Sequence, residues 1–247
     1  VASSMLTIAN NSAERGSGIY MDSIALINNQ NNALTAVTFI DNYASVGGTI
    51  YWIYDSNSGM MKGPNIDDAI FSNNKANYGI EIATQGLEII GPSSYEVTVY
   101  NEPLNPAVNF EVVDFYNQTV HGDVKMTPTI IDSTNRTQCE QQFPYVSGIN
   151  AAGLSVKHGY FNFTSLEIFC YPSKKLQLQF RAESSLPEIS STRNNVLSLS
   201  KKVQFQFRNC TKGETIDNGR CVPCSNGSYS LSAVSYTHLT LPTNREV

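Results

Sequence analysis

Over residues 1–92 the apolar positions come in short alternating bursts separated by Asn, Ser and Gly, and the pattern is stated three times. The copies run from Ile8 to Tyr20, from Phe39 to Tyr51 and from Phe71 to Ala83. Three places after each opening apolar residue stands Asn (Asn11, Asn42, Asn74), and five places after it stands Ala (Ala13, Ala44, Ala76). Gly follows at the eighth place (Gly16, Gly47, Gly79) and Ile at the eleventh (Ile19, Ile50, Ile82). The copies are 31 and 32 residues apart, a period that marks stacked repeat architectures. Leu6, Val37 and Ala69 lie two places before each opening residue, which gives the period of a strand with one face inward. Each Asn sits where a strand meets a corner. Stacking the copies would set Asn11, Asn42 and Asn74 above one another as a hydrogen-bonded ladder. The Ala fits a tight corner and the Gly permits a turn that other residues resist. Ile24 to Ile27 and Leu87 to Ile90 are further strand candidates, one at the end of a copy each.

After Gly91-Pro92-Ser93-Ser94 the phrase stops and longer alternating strands begin. Tyr95 to Tyr100, Val108 to Val112, Leu176 to Phe180 and Val203 to Phe207 all alternate. In Leu176-Gln-Leu-Gln-Phe180 and Val203-Gln-Phe-Gln-Phe207 the apolar residues point in and the Gln out. Turn residues separate these strands at Asn105-Pro106, His121-Gly122, Thr127-Pro128 and Tyr171-Pro172. This predicts an antiparallel β-sandwich over 95–209. A cysteine-rich stretch, 210–231, and a tail, 232–247, follow it.

The repeated phrase resembles that of polymorphic outer membrane protein-type β-helices, whose core is Phe-x-x-Asn, a small residue and then Gly-Gly-x-Ile-Tyr. The second copy, with Gly47-Gly48-Thr49-Ile50-Tyr51, matches it best, and the outer copies drift. The resemblance implies a right-handed parallel β-helix acting as a passive extracellular stalk or adhesive surface, with no ligand identified. Gly159 to Phe169, followed by Leu176 to Phe180, resembles late strands of immunoglobulin-like repeats in large surface proteins. The buried Trp of true immunoglobulin domains is missing, because Trp52 is the only Trp. Cys210-Thr-Lys-Gly, Cys221-Val-Pro-Cys224 and Gly227-Ser-Tyr229 resemble the start of ephrin-receptor and tumour-necrosis-factor-receptor type cysteine-rich modules. From about Val234 the chain resembles the translated read-through of a sequencing adapter, so the tail is expected to be non-native and to make few contacts.

Composition adds limits. Of the 247 residues 41% are hydrophobic and only 15% charged, so most of the chain is expected to fold. The net charge of −5 carries no basic run, which argues against a nucleic-acid partner. No apolar stretch is long enough for a membrane span. The first residues already sit in the repeat register, so the N-terminus is expected to be a cut end with further coils upstream. A membrane anchor is expected downstream of the cysteine-rich stretch. Six Asn-x-Ser/Thr triplets occur, at Asn10, Asn117, Asn135, Asn162, Asn209 and Asn226. The Asn, Ser and Thr content alone gives about 4.5 such triplets by chance, so their number says little. Five of the six fall after residue 100.

All five cysteines follow residue 138. Cys139 and Cys170 have no other partner within 95–209 and are expected to pair. Asn218-Gly219 is a turn that can bring Cys210 to Cys221, which leaves Cys224 unpaired. Within the resembled modules, the second Cys of Cys-x-x-Cys pairs with one further along. The rival reading of Cys221-x-x-Cys224, half of a zinc site, lacks a second ligand pair. No nucleophile motif surrounds His121, His158 or His238. The acids of the repeats (Glu14, Asp22, Asp41, Asp55, Asp67, Asp68, Glu81, Glu88) recur at no matched position, and only Asp67 and Asp68 are adjacent. Glycan-cleaving sites need converging carboxylates. The sequence therefore points to a non-catalytic, cofactor-free piece of a large extracellular or cell-surface protein. Its role would be structural, adhesive or receptor-like, toward a protein or glycan ligand. The alternative is a carbohydrate-active β-helix with its groove in missing coils.

Overall fold

The structure, a computed structural model, describes residues 5–21, 36–53, 63–98, 106–121, 124–131, 146–147, 160–164, 166–168, 170–184, 199–226, 228–232 and 235–238. Every regular element among them is a β-strand. The first copy of the phrase forms β1 (Leu6–Ala9), β2 (Ser12–Arg15) and β3 (Ile19–Met21). The second forms β4 (Val37–Ile40), β5 (Tyr43–Gly47) and β6 (Ile50–Trp52), and the third β7 (Ile70–Ser72), β8 (Lys75–Tyr78) and β9 (Ile82–Thr84). Like strands pair with like. Three parallel three-stranded sheets result, in the orders β1-β4-β7, β2-β5-β8 and β3-β6-β9. The register follows the sequence period: Phe39 pairs with Ile8 on one side and Phe71 on the other, Ala44 with Ala13 and Ala76, and Ile50 with Ile19 and Ile82.

Period-2 alternation decides what is buried. Phe39, Ile50, Trp52 and Ile82 form one apolar core, with Phe71 stacked on Phe39 at 5.0 Å between ring centroids. Tyr51 and Ala83 point to the opposite side and join a second, larger core. The sheet of β6 and β9 is thus buried on both faces, which is why both strands are buried at every position.

The larger core lies between two further sheets. The first is antiparallel, with β10 (Glu88–Ile90), β12 (Val108–Val113) and β15 (Tyr160–Phe163) in that order. The second contains β11 (Ser94–Val97), β13 (Val124–Ile130), β17 (Lys175–Ser184) and β18 (Leu199–Phe207), ordered β11-β18-β17-β13. Phe110 and Phe163 of the first sheet meet Phe180 of the second at 4.4 and 5.1 Å between centroids. The Gln residues of Val203 to Phe207 are exposed, as their alternation predicts. Thr127-Pro128, expected as a turn between strands, lies inside β13, where the sheet edge tolerates a Pro that cannot donate to a ladder. A short pair, β14 (Val146–Ser147) with β16 (Glu167–Ile168), completes this region among the described residues.

Four expectations need correction. Leu87 to Ile90 adds no strand to the repeats: β10 pairs antiparallel with β12, because Ile89 is buried in the larger core. Ile24 to Ile27 lies outside the described residues. Second, the sandwich region is not wholly antiparallel, since β11 runs parallel to β18. Third, Gly47 is not the structural counterpart of Gly16 and Gly79. A register shift in β5 makes Gly48 the counterpart, and Gly16, Gly48 and Gly79 share left-handed φ values of 60, 69 and 54°. A Cβ on Gly48 would sit 2.3 Å from the Ile50 carbonyl oxygen, whereas Gly47 is kept small by the Tyr78 ring above it. Fourth, the tail, expected to make few contacts, forms a hairpin with the residues just before it. Its Ser235–His238 strand, β22, pairs antiparallel with β21 (Ser228–Ser232), as alternating segments joined by a short loop can. Residues 239–247 lie outside the described residues.

Phe180 is fully buried among Phe110, Phe163 and Phe205. Phe180→Ala is expected to cost about 3–5 kcal/mol in urea denaturation; a loss below about 1 kcal/mol would show that the two sheets do not depend on this contact.

Candidate functional site

The ladder expected from the spacing is present and has a direction. Asn11 donates both its backbone N–H and its Nδ2 to Asn42 Oδ1, each at 3.1 Å. Asn42 does the same to Asn74 Oδ1, each at 3.0 Å. Asn42 Nδ2 also donates to the Ile8 carbonyl at 2.9 Å, and Asn74 Nδ2 to that of Phe39 at 3.0 Å. The Asn42 side chain thus uses two acceptor positions and two donors, its whole capacity. It is 1% exposed. Asn11 is exposed, because no further rung lies on it among the described residues.

The left-handed corner residue is the one before each ladder Asn: Asn10, Asp41 and Asn73, with φ of 59, 53 and 54°. The corner expected at the ladder Asn thus turns one residue earlier. The signal was present, since an Asx residue precedes the Asn in all three copies.

The far end of the stack is closed by a loop that sequence reasoning missed. Asp114 accepts the Thr84 N–H of β9 through Oδ2 at 3.1 Å, and the N–H groups of Tyr116 and Gln118 through Oδ1 at 2.8 and 3.0 Å. Gln118 Nε2 donates to the Ile82 carbonyl at 3.2 Å, and the Phe115 N–H to Thr84 Oγ1 at 3.0 Å. Backbone groups at the edge of β9 are satisfied by side chains where another strand would otherwise pair. Phe115 and Tyr116 meet Trp52 edge-on, and Trp52 Nε1 donates to the Tyr116 hydroxyl at 3.1 Å. Burial pushes the Asp114 carboxyl above its ordinary value, against the three N–H groups that hold it charged. The only local signal is an Asx turn from Asp114 to Tyr116; the partners in β9 are some 30 residues away.

Beside the loop, the Tyr78 hydroxyl donates to the Thr84 carbonyl at 2.7 Å and shares a hydrogen bond with Tyr51. Burial pushes Tyr51 up to about 12, and burial and then Tyr51 push Tyr78 well above its usual value. Both stay protonated near neutrality, so they serve as hydrogen-bonding struts rather than bases. Asp67 and Asp68 are exposed and lie on a turn, not a strand, with the Asp67 N–H on Asn65 Oδ1. Glu14, Asp41, Glu81 and Glu88 are exposed as well, and Asp22 and Asp55 lie outside the described residues. Among the described residues these acids do not converge. His121 stacks on Tyr78, with ring centroids 6.2 Å apart; His158 lies outside the described residues.

In the cysteine-rich stretch, β19 (Glu214–Asp217) and β20 (Arg220–Pro223) form a hairpin through Asn218 and Gly219, both with positive φ. Cys210 is bonded to Cys221, with Cα atoms 5.2 Å apart, and Cys224 is free. Cys210, Glu214 and Cys221 are close enough to suggest a metal site. Both sulfurs are joined to each other, however, and Arg208 grips Glu214 through two nitrogens at 2.7 and 3.0 Å. That grip holds Glu214 at about 2. Cys170 is buried and disulfide-bonded, while Cys139, its expected partner, lies outside the described residues. Of the glycosylation candidates Asn10, Asn117, Asn162, Asn209 and Asn226 are exposed, and Asn135 lies outside the described residues. No described helix is long and apolar enough to cross a membrane. Compared with family models, curated proteins and solved structures, the chain matches none of them significantly.

Asn42→Ala is expected to cost roughly 1–3 kcal/mol by leaving partners on both sides unpaired, and Asn11→Ala clearly less. Equal losses in chemical denaturation would remove the ladder as a source of stability. For Glu214 the folded pKa lies below the usual 4.5. Its contribution is therefore full above that value and is lost as pH falls toward about 2. Glu214→Gln is expected to flatten the fall in stability across that window, measured by urea midpoints at each pH.

Proposed function

We propose that this chain is a non-catalytic part of a large extracellular or cell-surface protein. In this reading residues 1–92 are the last coils of a right-handed parallel β-helix, and 95–209 form an immunoglobulin-like sandwich. A cysteine-rich neck over 210–231 leads toward a membrane anchor elsewhere in the protein. The role is structural, adhesive or receptor-like, and the ligand is a protein or glycan. The observation that supports this most is the Asn11–Asn42–Asn74 ladder with its closing loop. A stack whose polar interior is spent on its own rungs is built for rigidity and for presenting an outer surface. The buried, protonated tyrosines and the dispersed, exposed acids fit the same role. A disulfide at Cys210–Cys221 fits an oxidising compartment.

The test is incubation with a panel of polysaccharides, followed in parallel by binding and by release of reducing ends. Binding without turnover, or no interaction with glycans, is the expected result. Turnover that Asp67→Asn or Asp68→Asn abolishes would overturn the non-catalytic reading in favour of a carbohydrate-active β-helix.

A further inference from the structure

Among the exposed sequon asparagines Asn209 stands apart, because the middle residue of its triplet is a disulfide half. Asn209-Cys210-Thr211 leads straight into a ring closed by Cys210 and Cys221, only 11 residues apart. The other two positions of the triplet are held as well. The Asn209 carbonyl accepts from Arg208 Nη1 at 3.0 Å. The Thr211 N–H donates to Glu214 Oε2 at 2.8 Å, and the Glu214 N–H returns a bond to the Thr211 carbonyl at 3.0 Å. Arg208 fixes that carboxylate in turn. An N-glycan acceptor is read as an accessible triplet through its hydroxyl residue. Here a covalent ring and the backbone bonds of Thr211 fix the chain between that hydroxyl residue and the Asn.

Asn162 differs. It lies in β15, at the edge of its sheet, and no disulfide half lies within its triplet. Asn117 lies in a turn closed by hydrogen bonds alone: its N–H donates to the Asp114 carbonyl at 3.1 Å, and Thr119 Oγ1 donates to Glu111 Oε1. Hydrogen bonds of that kind open and close reversibly, whereas the Cys210–Cys221 link holds its segment until it is reduced.

We propose that Asn209 is a conditional N-glycosylation site, modified only when the oligosaccharide arrives before the Cys210–Cys221 ring closes. This rests on the extracellular reading above. The two reactions compete for one segment. In the first, the Asn209 amide nitrogen bonds to the anomeric carbon of a lipid-pyrophosphate-linked oligosaccharide. The carbon–oxygen bond to phosphate breaks, the lipid pyrophosphate leaves, and the amide loses one proton. In the second, the thiols of Cys210 and Cys221 become one disulfide. Two protons and two electrons pass to a disulfide-bearing thiol oxidase. The chain therefore emerges as two populations, set by the balance of oxidant and transferase.

The experiment expresses the full chain behind a secretion signal in glycosylating eukaryotic cells. Occupancy is read site by site by peptide mass spectrometry after enzymatic removal of glycans, which leaves Asp at each formerly occupied Asn. Wild type is compared with the double variant Cys221→Ala, Cys224→Ala, which removes both nearby partners of Cys210 and leaves the triplet intact. Occupancy at Asn209 is expected to be low in wild type and to rise several-fold in the variant, with Asn117 and Asn162 unchanged. A short pulse under dithiothreitol, read on the total cell lysate, should raise wild-type Asn209 in the same way and does not require the variant to fold. Equal Asn209 occupancy in wild type and variant, with Asn117 and Asn162 occupied, would overturn the competition alone. A secreted chain carrying no glycan at any site would overturn the extracellular reading and this inference with it.

Discussion

A buried primary amide is tolerable only when all its hydrogen-bonding positions are filled, and Asn42 meets that condition through residues of both neighbouring copies. The need is mutual. Asn42 is satisfied only if the first copy supplies Asn11 and the Ile8 carbonyl, and the third supplies Asn74. A slip of one residue would bury an unpaired amide and turn Phe39 outward, so the polar requirement and the apolar pattern enforce one register. The parallel pairing of all three sheets follows from it, and so do the stacked rings of Phe39 and Phe71.

The same requirement shapes the end of the stack. A third rung leaves the edge of β9 to be satisfied, and the chain meets this with the Asp114–Gln118 loop, returned from the sandwich region. Because that loop belongs to the connection after β12, the repeats and the sandwich cannot be arranged independently. Tyr51 and Ala83, on the outer face of the β6–β9 sheet, carry the larger core across the same junction.

Much of this was legible in the residues, for physical reasons. The repeat was visible because each copy meets the same local demands, and identical demands select similar residues at a fixed spacing. The ladder was visible because its partners occupy equivalent places. The Cys210–Cys221 pairing was visible because the Asn218-Gly219 turn folds the chain back within the short stretch that separates the two residues. Gly48 was misassigned because counting from the anchor cannot see the bulge in β5. Asp114 was missed because a buried acid is defined by what surrounds it, and Thr84 comes close only through the fold. The parallel partner of β11 escaped for a similar reason: alternation in Tyr95 to Tyr100 shows that a strand exists but not which way its neighbour runs.

That parallel pair gives the molecule a mechanical character. Ser94–Val97 stands near the entrance of the sandwich region and Gln204–Phe207 near its exit, side by side and pointing the same way. Flanking backbone bonds extend the pairing at both ends, from the Gln204 N–H to the Ser93 carbonyl and from the Arg208 N–H to the Val97 carbonyl. Tension passed along the chain pulls one strand backward and the other forward along a common axis. The bonds between them then resist together, in shear, rather than opening one after another as they would at a peeled hairpin.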